Sequence, residues 1–196
     1  MDGDLHITGD PDADGLLNRD ADALIVGMLL DQQIPLEWAF AGPRTLRDRL
    51  GHLDPSRIAA MDEDALVAAC CEKPAVHRFP AVMGRRIHAL CRSLVADHDG
   101  DAEHLWADVP DGATLARRLL ALPGFGDEKT KIFVALLAKR FGVRPEGWED
   151  AAGVFADDRP RSIADCHDEA SLAAVRAWKR DQKALGKDKQ DRPLDG

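Results

Sequence analysis

The chain has 196 residues, 45% of them hydrophobic, enough for one sizeable core or two small lobes, and carries a net charge of −9. No run approaches the roughly 20 apolar residues of a membrane span, and seven aspartates up to Asp22 against one arginine leave no basic start for a secretory signal, so a cytoplasmic protein is expected. Cys70, Cys71, Cys91 and Cys166 have neither zinc-site spacing nor iron–sulfur clustering. They read as buried thiols of a reducing compartment, with no metal site among them.

Taken in chain order, only residues 5–9 hint at a strand, and helices account for almost everything else. Asp22 opens an almost all-round apolar helix, ADALIVGMLLDQQI, which predicts a buried central position and an end at Pro35. Pro43 opens a helix to Leu50, and Pro55-Ser56 starts a short one. Asp62-Glu63-Asp64 leads another to Cys71, with acids at its positive end. After Pro80, the spacing of Val82, Ile87, Leu90, Cys91 and Leu94 predicts a long amphipathic helix. Two helices follow, Thr114 to Leu122 and Asp127 to Phe141, then a turn-rich connection over 142–161 and a last helix from Glu169 to Leu185.

The sharpest signal lies between the helices at 114 and 127. In Leu122-Pro123-Gly124-Phe125-Gly126, Pro123 ends one helix, the glycines allow a tight turn or close approach, and Phe125 is an apolar plug. This is a helix-hairpin-helix turn. The unpaired N–H groups opening its second helix, with the positive end of the helix dipole, suit a nucleic-acid phosphate. A net negative charge opposes DNA binding, but the charge is uneven. Residues 113–146 and 172–192 each hold seven Lys or Arg against three acids, and Lys129 and Lys131 flank the turn. The simpler reading of the C-terminal run is a solvated helix face with a frayed tail.

The order of LLDQQI, DPSRIAAMDEDALVAAC, GRRIHALCRSL and LALPGFGDEKTKIFVALLAKRFG resembles the helix-hairpin-helix (HhH-GPD) base-excision DNA glycosylases, closest to the alkyladenine/3-methyladenine branch, over residues 20–155. The resemblance implies an all-α, two-lobed fold with an interlobe cleft: an acidic arm over 1–20 packing on the C-terminal lobe, a helical core over 21–141, and a connection and C-terminal helix over 142–196. It also implies a monomer acting on double-stranded DNA with a damaged base, near the nucleoid. No cofactor is expected, although an alkali ion held by hairpin carbonyls is compatible with it.

Breaking an N-glycosidic bond builds positive charge on the sugar, so a carboxylate near C1′ of a flipped nucleotide lowers the barrier. By family order that acid is Asp150, with Glu149, Asp157 and Asp158 as rivals; an acid at 150 is equally suited to capping a helix. In family members that also cleave the strand, a lysine stands two places after the second hairpin glycine. Here that place is Glu128, and Lys129 points about 100° away around the helix, which implies a monofunctional enzyme. Gly124, Phe125, Gly126, Lys129 and Lys131 are the expected DNA contacts. Gln32 and Gln33 are either minor-groove contacts or a polar helix end, and Trp38 and Trp148 are candidates for a base-stacking wall. Asp127 and Glu128 repel a phosphate, and a non-catalytic DNA-binding adaptor on the same scaffold fits them as well.

Overall fold

The computed structural model describes residues 1–194. Helix α2 (Ala21–Leu30) has no polar face, and apart from Asp22 every residue in it is buried. A helix apolar all round must be covered on all sides. Helices α1 (Pro11–Arg19), α3 (Leu36–Leu50) and α6 (Pro80–Asp97) pack on it, together with a 3₁₀ turn at Ala102–Leu105. Helices α4 (Pro55–Ala60) and α5 (Glu63–Cys71) pack on α6, whose Met83, Ile87, Leu90, Cys91 and Leu94 face inward at helical spacing.

A second group forms around α8 (Asp127–Arg140), in which Ile132 to Ala138 are all buried. Its neighbours are α7 (Gly112–Leu120), α9 (Trp148–Ala152) and the 3₁₀ turns Gly153–Ala156 and Ile163–Asp165. Helix α10 (Glu169–Ala184) lies against the last of these turns. One apolar core runs through both groups. The N-terminal arm ties them together: Leu5 and Ile7 are buried, the His6 N–H donates to the Cys166 carbonyl (3.3 Å), and Asp4 pairs with Arg140 (3.2 Å). Cys70, Cys91 and Cys166 are buried at separate places in the core.

The all-α class agrees with the sequence, and four local expectations are corrected. Residues 5–9 form no strand: 5–7 have no regular structure and the chain bends at Thr8 and Gly9, where Gly9 has φ +74°. Residues 11–19 form α1, because the Asp10 side chain accepts from the N–H groups of Asp12 and Ala13 and Pro11 suits a first turn. Helix α3 begins at Leu36 and keeps Pro43 in its interior, where burial of Leu36, Phe40, Pro43 and Leu46 offsets the roughly 3 kcal/mol cost of an internal proline. The connection over 142–161 is also partly helical, containing α9 and a 3₁₀ turn.

Asp22 is an ionisable group at the start of this apolar helix. Its Oδ1 accepts from the Ala102 N–H at 3.0 Å, and burial pushes its pKa up from the ordinary 3.8 to about 7. Between those values the folded state binds more protons than the unfolded state, so this group's stabilising contribution is present below pH 4 and is lost as pH rises to 7. Asp22→Asn keeps an acceptor for Ala102 and removes the titration. Urea unfolding of the two proteins from pH 5 to 8 should show the variant gaining steadily on the wild type; parallel pH profiles would refute the linkage.

Candidate nucleic-acid interface at the hairpin

Helix α7 ends by tightening: the Leu122 N–H donates to the Leu119 carbonyl and the Phe125 N–H to the Leu122 carbonyl, each at 3.1 Å. Gly124 sits at φ +83°, and a Cβ there would lie 2.5 Å from Leu29 Cδ1, so the turn needs glycine for its conformation and for its fit against the end of α2. Phe125 is buried edge-on to Phe133, with centroids 6.0 Å apart. Gly126 differs. It N-caps α8 with φ −108°, supplies no side-chain acceptor to the helix N–H groups, and a Cβ there would meet nothing within 4 Å. The first N–H groups of α8 thus receive no side-chain cap, at the positive end of the helix.

Lys129, expected at the DNA surface, turns inward. Its Nζ donates to the carbonyls of Met28, Leu29 (3.2 Å) and Asp31 (3.3 Å), capping the C-terminus of α2, and lies 5.7 Å from the centre of the Phe125 ring. Burial lowers its pKa to about 8. The Gln32 side chain is fixed beside it, donating to the Leu29 carbonyl (2.7 Å) and accepting from Arg86 (2.6 Å). Gln33 is exposed, with φ +58°, an uncommon conformation for this residue. His77 Nδ1 accepts from the Phe79 N–H, so Nε2 carries the proton it gives to the Gln32 carbonyl, at 2.9 Å each. His77 also stands between the rings of Trp38 and Phe79, at 6.5 and 6.0 Å, and both rings are substantially exposed.

The two hairpin acids are both answered. Asp127 pairs with Lys131 one turn on (2.8 Å), and Glu128 faces Lys189 Nζ (3.4 Å) and Gln190 Nε2 (3.2 Å) of the segment 186–194. That segment is an anchored loop, not a frayed tail. The Asp188 N–H donates to the Arg192 carbonyl and the Leu194 N–H to the Gly186 carbonyl. Arg161, its side chain 4% exposed, binds Asp157 (2.8 Å), Asp191 (2.8 Å) and the Lys189 carbonyl (3.0 Å) over the face of Trp178.

Two adjoining cavities lie beside this surface. One, of about 400 Å³, is lined by Asp31, Gln33, Glu37, Arg176, Lys179 and Lys189 among others. The other, of about 270 Å³, lies between Glu128 of α8, Lys179 and Gln182 of α10, and the loop. Lys179 borders both and has no hydrogen-bond or ion-pair partner among the described residues; burial lowers its pKa.

The family model described as HhH-GPD superfamily base excision DNA repair protein matches residues 26–190. The chain belongs to the HhH-GPD superfamily. No curated protein matches it.

In this HhH-GPD protein the expected site residues separate into two places. Gly124, Phe125, Gly126, Lys129, Lys131 and Gln32 surround the hairpin, with Gln33 in the adjoining cavity and Trp38 beside His77. Asp150 is exposed on α9 and faces a groove with Pro110, Asp111, Ala113, Ala116 and Glu146 at the start of α7. Among the described residues this groove is lined by none of the hairpin residues. Trp148 joins the core under α7, where a Cβ on Gly112 would come within 2.7 Å of the Trp148 Cα, so it forms no wall with Trp38. Of the rival acids, Glu149 is exposed on α9, Asp157 is bound to Arg161, and Asp158 lies with Lys139 and Arg144 towards the far end of α8. The sequence assigns no site role to Phe79, Arg86, Lys179 and Gln182, and His77 reads there as an isolated structural or surface group. Only tertiary contact places them here.

The two glycines should respond differently to substitution. Gly126→Val should leave the unfolding midpoint close to wild type and weaken duplex binding by more than tenfold, because the added group fills the space a phosphate would enter, whereas Gly124→Val should also destabilise the fold. Salt titration of binding by fluorescence anisotropy checks this; an affinity unchanged in Gly126→Val removes α8 from the interface. Lys129→Met should cost about 2 kcal/mol in urea unfolding, the worth of hydrogen bonds to a charged group, and an unchanged midpoint would show that the cap contributes nothing.

Proposed function

We propose that this HhH-GPD protein is a monofunctional DNA glycosylase that hydrolyses the N-glycosidic bond of a damaged base flipped out of duplex DNA, acting as a cytoplasmic monomer. The observation that carries this reading is the junction of Gly124 with Leu29 and Gln32, which sets the uncapped N-terminus of α8 beside two cavities. Backbone N–H groups there would hold a phosphate without regard to sequence. Exposed Gln33 would reach the duplex or the gap left by the flipped base, and Trp38 and Phe79 offer rings for stacking. Paired as they are with Lys131 and Lys189, Asp127 and Glu128 repel a phosphate less than free acids would.

The monofunctional assignment rests on amines. Position 128 is a glutamate, and the Lys129 Nζ is taken up by three carbonyls, so neither hairpin residue offers a free nucleophile for attack on C1′. Lys179, a cavity amine with no partner among the described residues, is the one that borohydride trapping must acquit. The experiment is a panel of duplexes carrying alkylated purines, uracil, oxidised purines and mismatches, scored for alkali-labile abasic sites and for trapping with borohydride. Base release from at least one lesion without a trapped complex is expected. A trapped covalent complex would overturn the monofunctional reading, and tight duplex binding without any base release would assign the protein to the non-catalytic adaptors.

A further inference from the structure

Asp150, the acid that family order nominates, lines a groove at the start of α7 that the hairpin residues do not line. A nucleotide's sugar lies between its phosphate and its base. With a phosphate on the first N–H groups of α8 and a base in the cavity walled by Lys179 and Gln182, the sugar passes the second residue of α8. That residue is Glu128, which lines the same cavity. We infer that Glu128 is the carboxylate that stabilises the sugar cation and activates the attacking water, held in place by Lys189 and Gln190. This rests on the glycosylase reading above.

The neighbouring acids are otherwise engaged or placed elsewhere. Asp127 is drawn sideways to Lys131. Asp188 lines the cavity, but its carboxylate accepts from the Gln190 N–H (2.7 Å) and from Arg192 Nε (2.8 Å) within its own loop. Asp31 lines the adjoining cavity beyond Lys179. An acid that served only to stabilise the start of α8 would need no partner other than the helix dipole. Glu128 instead receives two donors from a loop some 60 residues away, whose position is fixed by the buried Arg161. Two donors on a carboxylate about one-third exposed restrict its rotamers.

In the reaction the C1′–N bond breaks and its electron pair leaves with the base, while the charge developing on the sugar faces the Glu128 carboxylate. A water oxygen bonds to C1′. The proton that this water gives up passes to Glu128 and then, through solvent, to the departing base, leaving an abasic sugar and a neutral base.

The test uses the full-length chain and whichever lesion duplex the panel shows to be cleaved. Glu128→Gln should lower the single-turnover rate of base release about 100-fold or more, with lesion-duplex affinity and unfolding midpoint within about twofold of wild type, while Glu128→Asp retains intermediate activity. Lys189→Ala should slow release less than Glu128→Gln does, and should leave little further effect when added to it. Asp150→Asn, the competing assignment, is measured in parallel and is expected to release base normally. A Glu128→Gln rate close to wild type, a rate loss matched by an equal loss of affinity, or a collapse of activity in Asp150→Asn would each overturn the inference while leaving a wild-type glycosylase intact. A wild type that releases no base from any duplex overturns the glycosylase reading itself, and this inference with it.

Discussion

The geometry of the candidate site depends on one cation placed where a helix ends. α2 is apolar throughout and stops with its last carbonyls facing the second helix of the hairpin, and Lys129 meets three of them. Exposed carbonyls at a buried helix end are costly unless they are satisfied. The lysine that satisfies them belongs to the helix whose other end is the candidate phosphate site. The same contact thus solves a folding problem in α2 and fixes the distance from Gln32 to the hairpin, with Gly124 small enough to let the two surfaces close. The cost is a buried ammonium, visible in its lowered pKa.

Much of the fold was legible in the sequence, because burial leaves a periodic trace. The apolar run of α2, the spaced stripe of α6 and the LPGFG turn each read correctly from local pattern. α1 was missed because Asp-Pro-Asp-Ala-Asp-Gly also reads as a turn, and the capping by Asp10 that decides the matter is a hydrogen bond rather than a periodicity. Pro43 was misplaced for the opposite reason: a strong local signal yielded to packing against α2.

The candidate site was less legible. Lys129 and Lys131 look equivalent in sequence, yet a 200° rotation around a helix sends one into the protein and leaves the other beside Asp127. Asp150 was chosen by family order, as an acid in the connection beyond the second hairpin helix, and α9 then directs it towards α7. Glu128 read as a departure from the family pattern that weakens phosphate binding, since its partners lie in a segment that looks like a solvated tail. What makes that segment a loop is Arg161, and nothing local connects position 161 with position 191.

The anchoring of this loop gives its two ends different responses to ionic strength. At its base the Arg161 side chain is almost wholly enclosed over the Trp178 ring and is held by short contacts to two partly exposed carboxylates, Asp157 and Asp191 (2.8 Å each), and to the Lys189 carbonyl, so that several contacts share the anchoring. At its tip, Lys189 and Glu128 are each about one-third exposed and 3.4 Å apart, within easy reach of counterions. Added salt therefore loosens the tip from α8 long before it loosens the base from the body. The loop is a rigid stem carrying a screened electrostatic latch, and the latch closes over the same helix end where a DNA phosphate would itself exchange counterions for contact.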